Sequence, residues 1–111
     1  MTKNVQIDAS KVADWSSFHQ CFCEALGFPD FYGRNMNAWI DCMTYVDDAD
    51  AGMTSVHVGQ GDVLVLCVSG AADLKKRCPE IFAALLESCA FVNYRRIETG
   101  DQAVLALSFH A

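Results

Sequence analysis

The sequence predicts an α/β domain in which a small, mainly parallel sheet of about three core strands, with room for one extra antiparallel strand, packs with about four helices. Three observations predict it. The runs "VLVLCV" at 63–68 and "AVLALSF" at 103–109 are apolar at successive positions, as strands covered on both faces of a parallel sheet are. Segments of helical period separate these runs from each other and from an alternating stretch near the start, and parallel strands need such crossovers. The chain of 111 residues fits one domain spanning 1–111, long enough to bury about two thirds of the surface its unfolded form exposes. Apolar residues make up 52% and charged residues 20%, so the chain has enough apolar surface to fold and is not a disordered polar tract.

Each element follows from local pattern. In "KNVQID" Val5 and Ile7 alternate with polar residues, which predicts a strand with one buried face. A first helix places Trp15, Phe18, Phe22, Ala25 and Leu26 on one side. Asp14 or Ser17 caps it, Ser17 and Gln20 have capping-box spacing, and Gly27 with Pro29 ends it. Gly33 then permits a turn that a residue with a Cβ resists, and a second helix starts near Arg34 or Asn35. At about 100° per residue, Met36, Trp39 and Met43 form its core side, Arg34, Asn37, Asp41 and Thr44 its polar side, with Ile40 on the border. Residues 45–61, rich in Asp and Gly, read as a long connection with a short strand at "SVHV". The strand "DVLVLCV" follows, then a helix over Ala71 to Arg77 and another opening at Pro79, a residue suited to a first helical turn. "NYRRIETGDQ" reads as a hairpin arm around Gly100 before the last strand.

Composition also excludes function classes. The longest apolar runs are six residues, far below the ~20 of a membrane span, and no leader pattern opens the chain, so a soluble cytoplasmic protein is expected. The six cysteines are scattered through apolar patterns and are expected as reduced core thiols. Cys21 and Cys23 point about 200° apart on a helix, and no second Cys or His pair has finger-like spacing, so no metal or other cofactor is expected. His19, His57 and His110 form no motif, and a Cys–His enzyme, whose partners would meet only in the fold, stands as a third reading. Asp plus Glu total 14 against 8 Lys plus Arg, and residues 30–50 hold Asp30, Asp41, Asp47, Asp48 and Asp50 against Arg34 alone. Such a surface repels phosphates and steers a basic protein partner, so nucleic acid is not the expected ligand. The free chain is expected to be a monomer.

Residues 17–44, "SFHQCFCEALGFPDFYGRNMNAWIDCMT", resemble the barstar family of intracellular ribonuclease inhibitors. The likeness runs through the His19-Gln20 pair, the Leu26-to-Pro29 helix end, the Phe31-Tyr32-Gly33-Arg34-Asn35 corner and the Trp39-Ile40-Asp41 helix. It persists later as pattern only, and residues 45–61 look like an insertion. The resemblance implies an immunity or antitoxin role, in which the second helix and the corner before it cover the basic active site of a secreted guanyl-type ribonuclease. It makes Asp41 the principal contact carboxylate, Tyr32, Gly33 and Asn35 the corner, and Glu87 a peripheral contact on the fourth helix. Asn37 stands where the family often has a second Asp, Phe31 where it often has Tyr, and Ile40 where it has an interfacial Trp. These departures keep open an alternative, a barstar-like interaction module whose partner is not a ribonuclease.

Overall fold

A computed structural model describes all 111 residues. Strand β1 (Thr2–Asp8) leads through a 3-10 turn to helix α1 (Trp15–Leu26), and the corner at 31–35 leads to α2 (Met36–Thr44). A long connection reaches β2 (Val63–Ser69), followed by α3 (Ala71–Arg77), α4 (Pro79–Glu98) and β3 (Leu105–His110). The sheet has the order β1-β2-β3 and both pairings are parallel, so the α/β class holds without an antiparallel strand.

Register explains where the core sits. Val5 lies beside Leu66, Ile7 beside Val68 and Leu64 beside Leu105, all buried, and this face meets Phe18, Phe22 and Leu26 of α1, Trp39 and Met43 of α2 and Leu85 and Val92 of α4 in one cluster. The other face carries Asn4, Val65 and Ala106 in one row and Gln6, Cys67 and Ser108 in the next, and only Cys67 of these is buried, outside that cluster. The expectation that β2 is covered on both faces is therefore corrected. Its second face is apolar because the flanking strands shield a central strand sideways, not because a layer covers it.

Local chemistry fixes the helix ends. Asp14 caps α1: its Oδ1 accepts from the Ser17 N–H at 2.8 Å, while the Asp14 N–H donates back to Ser17 Oγ at 3.0 Å. The capping box thus joins Asp14 to Ser17, not Ser17 to Gln20. Gly27 closes the helix at φ 66, and a Cβ there would sit 2.5 Å from Ser55 Cβ, so both backbone angle and space demand glycine. Trp15, expected on the buried side, is 39% exposed, and His19 takes a buried place in the aromatic row instead.

Two further expectations are corrected. "SVHV" forms no strand: Ser55 and Val56 donate to the Leu26 carbonyl at 2.9 and 3.2 Å, and Val58 donates to Val46 O at 3.1 Å. The first two amides close the end of α1 and the third ties the chain to the residues after α2, so none of them can also pair in a ladder. The hairpin arm is absent as well, since residues 93–98 are the last turns of α4, held there by buried Val92 and Arg96. All six cysteines are free, but only Cys42, Cys67 and Cys89 are buried, while Cys21, Cys23 and Cys78 are half-buried at the margin.

Candidate functional site

The corner between α1 and α2 is built from interlocking polar contacts. Asn35 caps α2, its Oδ1 accepting from the Ala38 N–H at 2.8 Å and its Nδ2 donating to Gly33 O at 3.3 Å. The left-handed residue is Arg34, at φ 53, and Gly33 has no positive φ, which corrects the reason given for Gly33. A Cβ there would lie 3.2 Å from Asn35 Nδ2, so the capping side chain would have to shift by a few tenths of an ångström to admit it. Arg34 holds its unusual conformation while its guanidinium donates to Ser16 O at 3.1 Å on α1. Tyr32 is buried with its hydroxyl 2.6 Å from His19 Nδ1 and its ring 4.6 Å from that of Phe28, whereas Phe31 beside it is 72% exposed.

Helix α2 then separates two faces. Trp39, Cys42 and Met43 are buried and Met36 is half-buried, so Cys42 joins the core side that the helical phase assigned to the other three. Trp39 packs edge-on to Phe22, and its indole N–H is the one buried side-chain polar group without a partner. On the outer face Asn37 and Asp41 are exposed and Ile40 and Thr44 half-buried, with the Thr44 hydroxyl donating to Ile40 O at 2.6 Å. A shallow depression of about 210 Å³ joins Phe31, Tyr32 and Gly33 to Ala38, Asp41, Cys42 and Met53. Met53 comes from the 45–61 connection, which therefore borders this surface.

Helix α4 supplies what the sequence reading missed. Arg95 donates to Asp41 Oδ1 at 3.4 Å, and Arg96, itself buried, grips Asp47 through Nη2 to Oδ2 at 2.7 Å and Nη1 to Oδ1 at 3.1 Å. The same guanidinium donates to Thr44 O and Gln102 O, both at 2.8 Å, tying the end of α2 to α4. Asp47 is thus a structural partner, not a steering charge, and Arg34 is not the only cation near the acids. The stripe Leu85, Cys89, Val92, Arg96 has helical spacing and was the available signal for Arg96. Glu87 is exposed on α4, eight residues or about 12 Å before Arg95, and no hydrogen bond or ion pair joins it to α2.

The thiols and imidazoles do not meet as nucleophile and base. His19 pairs with Tyr32, His57 with Thr54 and His110 with Ser108. Burial pushes the Cys21 and Cys23 thiols up, Cys42 to about 11 and Cys89 to about 12, the reverse of activation. No group of His, Cys, Asp and Glu has the arrangement of a metal site, and no helix is long and apolar enough to cross a membrane.

A three-stranded parallel sheet with helices packed on it defines a small α/β protein, in which a capped helix turns one carboxylate outward beside an exposed aromatic ring. The Barstar (barnase inhibitor) family model matches residues 2–107, nearly the whole chain, and the chain belongs to that family. The family is described as one of barnase inhibitors. No curated protein matches the chain.

Proposed function

We propose that this chain is an intracellular inhibitor of a guanyl-type ribonuclease, with an immunity or antitoxin role, that lays α2 and the 31–35 corner over the enzyme's basic active site. The observation that carries the reading is Asp41: its side chain is 57% exposed at the middle of a helix whose opposite face is locked into the core. The fold does not need this carboxylate. Desolvated among cationic enzyme groups, it would accept charge-assisted hydrogen bonds in place of RNA phosphate. Phe31, Tyr32 and Gly33 share its depression, and the docking face proposed from the family resemblance adds Arg34, Asn35, Asn37, Ile40 and Thr44, with Glu87 of α4 as a peripheral contact.

The test pairs stability with inhibition. Asp41→Ala should melt near wild type, within about 1 kcal/mol, as exposed substitutions do. It should lose at least about tenfold in affinity for a barnase-type ribonuclease, because the enzyme's cations stay buried without a partner, at roughly 2–5 kcal/mol; the reference case for that magnitude is the family's own barnase complex. A variant that inhibits RNA cleavage as well as wild type overturns the mechanism. Asn37 and the Asp41–Arg95 pair reduce the free negative charge on the face, which favours the second reading, a docking module for another protein. Binding of a partner without any inhibition of RNA cleavage distinguishes it.

A further inference from the structure

Asp41 is already paired in the free chain. Arg95 reaches it from α4 at 3.4 Å, and the two side chains keep 41% and 57% of their surface in solvent. The cation is held in place from behind. Its guanidinium lies 5.8 Å from the centre of the Phe91 ring, and the turn that carries it is anchored by neighbouring Arg96 through Asp47, Thr44 O and Gln102 O. The backbone under Arg95 is therefore fixed, and only its side chain can leave Asp41. On the same face of α2 Asn37, one turn before Asp41, is neutral, so that helix offers no second carboxylate to share the cations, while Asp48 and Asp101 line a neighbouring depression on the other side of Arg95.

We propose that Arg95 is a specificity-determining residue of the docking face, an internal competitor that a ribonuclease must displace before it can take Asp41. This rests on the reading of Asp41 as the contact carboxylate. A solvated pair of this kind holds weakly, so a well-placed guanidinium or ammonium of the enzyme can take it over. Two cations crowded onto one carboxylate in a water-excluded interface repel each other far more than they do in solvent. The arrangement rejects proteins attracted only by general negative charge and admits one whose cation meets Asp41 in the right place. It is selection by exclusion as much as by attraction.

The experiment measures inhibition and association rate with barnase as the probe, for wild type, Arg95→Gln, Arg95→Lys, Asp41→Asn and the double variant Arg95→Gln/Asp41→Asn. Because the pair is exposed, all five should melt alike. Arg95→Gln should tighten inhibition at least threefold, Arg95→Lys should stay near wild type, and the gain should vanish in the Asp41→Asn background. An Arg95→Gln variant no tighter than wild type, or a gain that persists without the Asp41 carboxylate, overturns the inference and leaves the inhibitor reading standing. No inhibition by either wild type or Arg95→Gln overturns both.

Discussion

His19 shows how one residue can hold the shape of a surface to which it does not belong. Its ring is 3% exposed, stacked on Trp15 at 6.1 Å and edge-on to Phe18, with Nδ1 2.6 Å from the Tyr32 hydroxyl. Burial, aided by the nearby Arg34 guanidinium, holds its pKa below the ordinary 6.5. Burial also raises the Tyr32 hydroxyl well above its usual range, so Tyr32 donates and a neutral His19 accepts. In the unfolded chain His19 regains its ordinary affinity for a proton. Between the depressed folded value and 6.5 the unfolded state binds more protons, so this contribution to stability is complete above 6.5 and is lost as pH falls below it. Urea titrations on both sides of that pH should show stability falling toward acid, by no more than about 1.4 kcal/mol per pH unit for one proton. Asp8 and Asp14, held below 3.8 by bonds from Ser10 and Ser17, act at much lower pH. His19→Gln should flatten the dependence near neutrality, and an unchanged slope in that variant would remove His19 from the account. The neighbouring His19-Gln20 pair was legible as a motif, but its role was not, because Tyr32 lies 13 residues away and the bond depends on the corner.

At the scale of elements, the candidate face is a joint between α2 and α4, and the Asp47–Arg96 bridge is its fastening. The two side chains retain 13% and 10% of their surface, and Arg96 keeps two carbonyl partners if Asp47 is removed. Asp47→Ala should therefore cost about 3 kcal/mol, the lower end for breaking a buried pair, since the guanidinium loses its counter-charge but not all its hydrogen bonds. Urea unfolding checks it, and a variant as stable as wild type would show that the bridge is dispensable. The elements best read from sequence are those whose physics is local. Helices α1 and α2 bury one side, so the helical phase sorted Phe18, Phe22 and Trp39 from Asn37 and Asp41, and Pro79 marked the start of α4. The same phase is blurred in α4, which exposes Leu86, Phe91, Tyr94 and Ile97 while burying Leu85, Cys89 and Val92. Its last turns consequently read as a strand in the sequence, a pattern that hides the roles of Arg95 and Arg96. The 45–61 connection has no period at all. Its conformation depends on the Leu26 carbonyl, which only the tertiary fold brings near, and on Val58 closing back onto Val46 within the connection.

For the whole molecule, the question is how much field remains once its own cations are counted. The net charge is −6, yet Asp41 and Asp47 are paired with arginines of α4. The local acidic field near α2 is therefore weaker than the sequence count implies, and a partner at a distance senses mainly the net charge. The radius of gyration is 13.1 Å, and the screening length falls from about 30 Å at 0.01 M salt to about 8 Å at 0.15 M. At low salt the whole charge reaches past the molecule's edge, whereas at physiological salt only the groups lining the contact are felt. Association with a basic ribonuclease should accordingly slow by about tenfold over that salt range, at the modest end of electrostatic steering. Dissociation should change much less, because contacts formed in the complex are shielded from ions. Stopped-flow mixing across a salt series measures both rates, and an association rate flat with salt would remove steering from the account. The Arg95→Gln variant refines the result. A gain due to net charge should fade as salt rises, but a gain due to release of Asp41 should survive at high salt, where only short-range contacts still discriminate.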